Sequence, residues 1–114
     1  MNTRKIGRFY EDAVAEYLKN NGITIVDRNV TCGRIGEIDI IGREEETKTL
    51  IFFEIKYRKN HKVGYPEESV GGRKQGKIRR CAEYYLAFRH TDYYVRFDVI
   101  AVEDEEITWY KNAF

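Results

Sequence analysis

The stretch IFFEIKYR, residues 51–58, places the strongest constraint on how this chain can fold. Its two phenylalanines and two isoleucines predict a β-strand, because aromatic and β-branched side chains favour extended structure. Glu54, Lys56 and Arg58 nevertheless occupy every second position. Side chains alternate between the two faces of a strand, so these three charged groups project from the same face. The segment therefore predicts a strand that carries a line of charge along one face.

Hydrophobic spacing along the rest of the chain predicts the order of the other elements. Apolar residues at helical spacing predict helices over residues 4–20 and 73–88. Alternating or apolar runs predict strands at 23–29, 34–44 and 49–58, and a last strand pair, YYVRFDVIAVE and EITWYK, around DEE. Residues 59–72 contain the only proline and predict a loop. The order α-β-β-β-α-β-β predicts an α+β domain with a mixed sheet.

Length and composition limit the class of protein. With 114 residues, 42% of them hydrophobic and 34% charged, the chain is expected to be one globular domain spanning residues 1–114. Apolar runs such as LIFF are too short for a membrane span, and the charged N-terminal segment predicts no export, so we expect a cytoplasmic protein. Cys32 and Cys81 have no CxxC spacing and are expected to be two reduced, buried thiols. His61 and His90 have no zinc-ligand spacing with them.

The basic residues are concentrated in one part of the chain. Residues 55–80 carry nine Lys or Arg and two Glu, a net charge of +7, although the whole chain has a net charge of only +1. Such an asymmetry can create a positive surface on a nearly neutral protein, as nucleic-acid binding requires. On charge alone, a solvated helix face and a solvated loop explain the pattern equally well.

Two carboxylates are expected to meet between neighbouring strands. Alternation places Ile38 and Ile40 on one face of the second strand and Asp39 on the other. If the second and third strands form a hairpin, Asp39 and Glu54 share a face, with Cβ atoms roughly 5–8 Å apart. Two carboxylates at that distance repel each other unless a cation lies between them, and Mg²⁺ (or Mn²⁺) is the natural candidate. A solvated polar face of an antiparallel sheet is the alternative.

Further polar residues are expected around this carboxylate pair. Glu11 lies at the edge of the apolar face of the first helix and could reach the same space. Glu37 shares a strand face with Asp39 and is either a supporting group or a surface glutamate. Lys74 faces inward near the start of the second helix, flanked by Gln75. The outward-facing basic residues of that helix are expected to contact phosphates: Arg73, Lys77 and Arg80.

Two further predictions are structural. RFDVI alternates Arg96 and Asp98 with apolar residues, and a salt bridge between the two is preferred over a role in a functional site. Most of the nine tyrosines lie on apolar helix faces and are expected in the core rather than stacked on bases, such as Tyr10, Tyr17 and Tyr85.

Several segments together resemble a known family. GEIDII and IFFEIKYR have the form D-x₁₄-E-x-K, which resembles the core of the PD-(D/E)XK nuclease superfamily. GRFYEDAVAEYLKNNGITIVDRNV, VGYPEESVGGRKQGKIRRCAEYYL, RFDVI and the terminal NAF resemble the YraN family of small bacterial proteins over nearly the whole chain. That family is regarded as uncharacterised, with an endonuclease-like fold similar to archaeal Holliday-junction resolvases.

The resemblance implies a fold and a set of functional residues. The implied fold is a restriction endonuclease-like αβββαβ core with a mixed central sheet flanked by helices. Asp39, Glu54 and Lys56 are the implied catalytic triad, and Glu11 is the implied carboxylate of the first helix. With Mg²⁺ held by these carboxylates and DNA contacted by Arg58 and the second helix, the implied activity is phosphodiester hydrolysis on structured or branched DNA. A homodimer would suit two-strand cleavage, as in the resolvases.

Two other functions stay open from the sequence. One is a non-catalytic nucleic-acid-binding module of the same fold, and the other is an interaction protein with a polar sheet face. The four residues Glu11, Asp39, Glu54 and Lys56 favour the nuclease over the module, since a site without activity need not keep all four. The positive segment at residues 55–80 favours either of these over the interaction protein.

Overall fold

The computed structural model describes residues 3–58, 71–89 and 91–114 and, for residues 3–8 and Arg58, the backbone. These residues form two helices and five strands in the predicted order: α1 (Thr3–Asn20), β1 (Thr24–Thr31), β2 (Glu37–Glu44), β3 (Thr49–Arg58), α2 (Gly72–Ala87), β4 (Tyr94–Glu103) and β5 (Glu106–Tyr110). The predicted and observed ends differ by at most three residues. Most of the predicted loop, residues 59–70, lies outside the described residues, as does His90.

The strands form one mixed sheet in the order β1-β2-β3-β4-β5. Neighbouring strands are antiparallel except β3 and β4, which are parallel over ten residue pairs from Thr49↔Tyr94 to Arg58↔Glu103. Parallel neighbours need a crossover, and α2 lies in the connection between them. The predicted α+β architecture with a mixed sheet is confirmed, and it is compatible with a restriction endonuclease-like αβββαβ core.

Each face of the sheet is covered by one helix. Val14 and Leu18 of α1 are fully buried and belong to the same apolar cluster as Phe53. Phe52, the preceding residue, belongs to a second cluster with Ile78 and other residues of α2. Successive residues of a strand point to opposite faces, so α1 and α2 lie on opposite sides of β3. The charged stripe of β3 begins on the α2 side, after Phe52.

One prediction about β2 is wrong. Ile38 and Ile40 were expected on the same face, but Ile38 packs in the cluster of α2 and Ile40 in the cluster of α1. The register shows where regular alternation stops, since the pairing of β2 with β3 begins at Ile40↔Phe53 and extends away from Ile38. Before Ile40, β2 is no longer constrained by a ladder with β3. The two strands therefore separate at the position of Asp39.

The cysteines are buried as predicted, but the expectation of two reduced thiols is wrong. Cys32, just after β1, and Cys81, in α2, are 3% and 0% exposed and form a disulfide, with Cα atoms 5.5 Å apart. That separation is typical of disulfides. The two cysteines are 49 residues apart in sequence, so their approach depends on the packing of α2 against the β1–β2 connection, which short-range spacing does not reveal.

The salt bridge predicted between Arg96 and Asp98 is confirmed. Asp98 is fully buried, and both of its oxygens accept hydrogen bonds at 2.9 Å from the Arg96 guanidinium. Trp109 Nε1 and the backbone N–H of Asn112 also donate to it, both at 2.8 Å. A buried carboxylate requires such a set of donors. Asp98 thus ties β4 to β5 and to the residues that follow β5.

The tyrosines predicted in the core lie in it or against it. Tyr85 is buried, and Tyr10 and Tyr17 are partly buried against the cluster of α1. Within the described ranges, no helix is both long enough and apolar enough to cross a membrane.

Candidate functional site

Glu54 is the buried carboxylate of the central strand. It lies on the α2 side of β3 and is 5% exposed. The Nζ of Lys74, from the first turn of α2, forms an ion pair with its Oε1. A buried carboxylate is costly without a partner, so Lys74 compensates much of this cost while remaining more than half exposed itself. The prediction that Lys74 faces inward near the carboxylates is confirmed.

Asp39 occupies the point where β2 and β3 separate. Its Oδ2 accepts a 2.8 Å hydrogen bond from the backbone N–H of Ile55, so the side chain replaces a partner that the strand ladder no longer supplies. Burial, followed by the charge of Glu54, raises the pKa of Asp39 from 3.8 to about 7. The Ile55 hydrogen bond opposes this rise, and the charges of Glu37 and Glu11 add to it. Asp39 and Glu54 are therefore electrostatically coupled, as predicted.

This pair fits a divalent cation held by few protein ligands. A carboxyl group whose pKa is raised by a neighbouring carboxylate retains its charge more easily when a cation is bound. Mg²⁺ prefers oxygen ligands and keeps several of its waters, so Asp39 and Glu54 can suffice. In the part of the chain that the structure describes, no group of three or more His, Cys, Asp or Glu side chains is arranged to hold a metal.

Glu11 lies near the pair but is held by other residues. Its Oε1 accepts hydrogen bonds from Arg28 Nε at 3.0 Å and from Asn29 Nδ2 at 2.9 Å. Arg28 also forms an ion pair with Asp12 at 2.6 Å, and these two carboxylates raise the pKa of Arg28. The charge of Glu11 contributes to the raised pKa of Asp39, which places it in the same electrostatic environment. Glu11 thus flanks the carboxylate pair on the α1 side.

Sequence reasoning missed Arg28 and Asn29, although chain geometry offers a signal for them. A helix advances about 1.5 Å per residue and a strand about 3.3 Å. From the turn at Asn21 and Gly22, Glu11 is therefore about 15 Å back along α1 and Arg28 about 20 Å forward along β1. Because the chain reverses at Gly22, where φ is 88°, these two distances bring Arg28 back towards Glu11.

Lys56 and Tyr57 follow Glu54 on β3. Lys56 is half-buried and lies on the same face as Glu54 by strand alternation. Tyr57 faces α1, where its ring is 5.8 Å from that of Tyr10. Burial, followed by the charges of Asp39 and Glu11, raises the pKa of the Tyr57 hydroxyl above its ordinary value. Residues on both faces of β3 thus border the carboxylates.

The other residues predicted to contact nucleic acid differ in how exposed they are. Arg73, Lys77 and Arg80 are exposed on α2, and Gln75 is half-buried next to Lys74. The side chain of Arg58, at the end of β3, lies outside the described residues. Of the residues predicted to contact nucleic acid, Lys74 is the one that the described structure brings to a carboxylate of the pair.

The fold and the site together define a class of protein: an α+β protein whose core is compatible with the restriction endonuclease-like arrangement and which carries a coupled carboxylate pair beside its central strands. The chain belongs to the uncharacterised protein family UPF0102, whose sequence model matches residues 10–102. This confirms the resemblance to the YraN family.

Relatives in this family match over nearly their full lengths. A UPF0102 protein of Fusobacterium nucleatum is 44% identical over 113 residues, which cover 98% of this chain and 92% of that protein. One from Syntrophotalea carbinolica is 43% identical over 114 residues, covering 96% and 90%. One from Caldicellulosiruptor bescii is 42% identical over 104 residues, covering 90% and 85%. Their names give a family and no activity, so a function has to be argued from the site.

Proposed function

We propose that this protein is a Mg²⁺-dependent nuclease that hydrolyses phosphodiester bonds in structured or branched DNA. The observation that carries the proposal is the carboxylate pair, in which buried Glu54 is matched by Lys74 and Asp39 has its pKa raised to about 7 by burial and by Glu54. Such a pair stores electrostatic repulsion that a divalent cation relieves. A carboxyl group whose pKa is as strongly raised as that of Asp39, beside a basic helix, is typical of a functional site rather than of a plain surface.

Each residue of the site has a proposed role. Asp39 and Glu54 hold the cation, and the Ile55 N–H fixes one oxygen of Asp39. A Mg²⁺ ion held by Asp39 and Glu54 would polarise a phosphate oxygen and lower the pKa of a nearby water. Lys56, on the same strand face as Glu54, neutralises the negative charge that develops on the phosphate or orients the attacking water. Lys74 orients the Glu54 carboxylate through their ion pair.

Substrate binding is proposed to involve α2. The exposed basic residues Arg73, Lys77 and Arg80 lie on α2. The same helix carries Lys74, which pairs with Glu54. Contacts with phosphates position a nucleic acid without reading its sequence. The affinity that they supply falls as the salt concentration rises. A helix that carries both an inward lysine and outward basic side chains can therefore hold a backbone next to the carboxylates.

A non-catalytic nucleic-acid-binding module is the second candidate function, and one observation favours it. The Oε1 of Glu11 is already engaged, because Arg28 and Asn29 both donate hydrogen bonds to it. This oxygen is therefore less available to bind a metal. A two-carboxylate site binds cations more weakly than a larger ligand set. If the cation does not bind at working concentrations, the basic helix would still bind nucleic acid.

Metal binding and cleavage measured side by side test the proposal. Mg²⁺ and Mn²⁺ are titrated calorimetrically into the wild type, Asp39→Asn and Glu83→Gln, and the same proteins are incubated with linear, flap and four-way DNA. Glu83 is an exposed carboxylate of α2 and serves as the matched control. We expect the wild type and Glu83→Gln to bind metal and to cut one substrate class, and Asp39→Asn to do neither.

Two results would count against the nuclease. Cleavage by Asp39→Asn at the wild-type rate would remove the carboxylate pair from the mechanism. An absence of metal binding by the wild type, even with DNA present, together with salt-sensitive DNA binding, would favour the non-catalytic module instead.

A further inference from the structure

Three aromatic side chains form a row beside the carboxylate pair on the α1 side. The ring centroids of Phe9 and Tyr10 are 5.4 Å apart, and those of Tyr10 and Tyr57 are 5.8 Å apart. Tyr10 is partly buried against the core, whereas Phe9 and Tyr57 are 69% and 45% exposed. We call these three residues the aromatic row. Its middle ring is anchored in the protein and its two ends are open to solvent.

The row is attached to the elements that carry the site. Tyr10 immediately precedes Glu11 on α1, and Tyr57 is three residues beyond Glu54 on β3. The charges of Asp39, Glu11 and Glu54 all act on the Tyr57 hydroxyl, so the row ends next to these carboxylates. Since α1 and α2 cover opposite faces of β3, the row and the basic residues of α2 flank the carboxylates from two sides.

Phe9 is exposed although burying a phenylalanine side chain is worth roughly 1.5–3 kcal/mol. Phe9 leaves most of that stabilisation unused. The described structure has a second exposed aromatic pair at the end of α2, Tyr84 and the following cap residue Phe88, with ring centroids 5.5 Å apart. The two rings of this pair pack on each other, so the pair provides a comparison for the row.

We propose that the aromatic row stacks an unpaired nucleobase, so that the substrate is a nucleic acid with single-stranded character next to the phosphodiester at the carboxylates. This inference rests on the proposed function and specifies its substrate. Every base has a π-face that stacks on aromatic side chains without sequence preference. Bases inside a duplex are already stacked on each other and cannot offer that face. The cationic side of α2 supplies the complementary contact to the phosphate backbone.

Binding without catalysis isolates this inference. Fluorescence anisotropy in EDTA measures the affinity for a labelled single-stranded DNA and for the blunt duplex of the same sequence. The single strand has about 16 nucleotides, the upper site size of a small single-strand-binding domain. The variants are Phe9→Ala, the conservative Phe9→Trp and the control Phe88→Ala. Phe9 and Phe88 are similarly exposed, at 69% and 74%, so neither substitution should disturb folding, which circular dichroism checks.

We expect Phe9→Ala to bind the single strand roughly 5- to 100-fold more weakly, the usual loss for one stacked base. Its affinity for the duplex and the salt dependence of both affinities should stay at the wild-type level, because stacking releases no counterions. Phe9→Trp should retain single-strand binding, and Phe88→Ala should resemble the wild type.

The outcomes separate this inference from the proposed function. If Phe9→Ala binds the single strand as the wild type does, or loses single strand and duplex equally, the aromatic row is not a stacking platform while the nuclease proposal stands. An equal loss in Phe88→Ala also overturns the stacking assignment. A wild type that binds neither oligonucleotide overturns this inference alone, because the nuclease proposal is judged on metal binding and on cleavage of flap and four-way DNA.

Discussion

Replacing Asp39 by asparagine is expected to stabilise the folded protein at neutral and higher pH. The Asp39 carboxyl has a pKa of about 7 when folded, against an ordinary value of 3.8, because it is buried near Glu54. The folded state therefore binds a proton more tightly than the unfolded state does. Stability from this group is present below the ordinary value and is lost as pH rises towards the folded pKa. An amide at this position has no charge to bury, and its oxygen can still accept the hydrogen bond from Ile55.

The size of the effect follows from the two pKa values. At about 1.4 kcal/mol for each tenfold change in proton affinity, the gap from 3.8 to about 7 corresponds to about 4 kcal/mol. This is the most that Asp39→Asn can gain at pH 8. The gain should shrink steadily below pH 7 and vanish near pH 4, where both states of the wild type carry a protonated Asp39.

Urea unfolding in EDTA, repeated across this pH range, measures the difference in free energy between variant and wild type. Asp12→Asn is the matched control, because Asp12 is 62% exposed and pairs with Arg28. This control should give a small loss of stability rather than a gain. Adding Mg²⁺ should then stabilise the wild type more than Asp39→Asn, since a ligand that binds the folded state raises its stability.

The reasoning would be refuted by a variant that is less stable than the wild type at pH 8. It would also be refuted by a gain that grows, rather than shrinks, as the pH falls. Either result would mean that Asp39 is stabilised by its surroundings as a charged group and that its coupling to Glu54 is weak.

Other substitutions test the packing. Gly42→Ala should lower the free energy of unfolding by about 1–3 kcal/mol, because the new methyl group would lie 2.5 Å from Ile23 Cγ2. Gly76→Ala, in the interior of α2 with nothing near the new methyl group, should raise it by about 0.5–1 kcal/mol. Thermal melts compare the two variants. Asp98→Ala should cost about 3–5 kcal/mol in urea unfolding, since it removes the partner of the half-buried Arg96 guanidinium. For Cys32 and Cys81, intact mass spectrometry compares the purified protein before and after treatment with a reductant. The mass should rise by two hydrogen atoms on reduction, and an unchanged mass would exclude the disulfide.

Most of the fold could be predicted because it follows from short-range patterns. The apolar stripe of α1, the alternation in β3 and the turn residues at the hairpins each act within a few residues. What the sequence did not show is long-range. The disulfide between Cys32 and Cys81 joins positions 49 residues apart, and the separation of β2 from β3 before Ile40 depends on how two strands pair rather than on the composition of either.

The site was partly predictable for the same reason. Alternation placed Glu54 and Lys56 on one strand face, and helical spacing turned Lys74 inward, where it meets Glu54. The partners of Glu11 were not found, because Arg28 and Asn29 belong to a different element and only the reversal of the chain at Gly22 brings them back towards α1. The metal, the DNA contacts and the catalytic roles stay predictions that the proposed experiments test.

The parallel pairing of β3 with β4 has a consequence for the folding kinetics of this chain. The β1–β2–β3 meander and the β4–β5 hairpin need only local contacts, whereas Thr49 pairs with Tyr94 across the whole crossover. Closing such a loop costs conformational entropy before its contacts repay it, so long-range pairing slows folding. The central strand pair should therefore be the last part of the sheet to form. Asp39 and Glu54 meet across the local β2–β3 hairpin, whereas Lys74 lies in the crossover, so the carboxylate pair should form before Lys74 reaches Glu54.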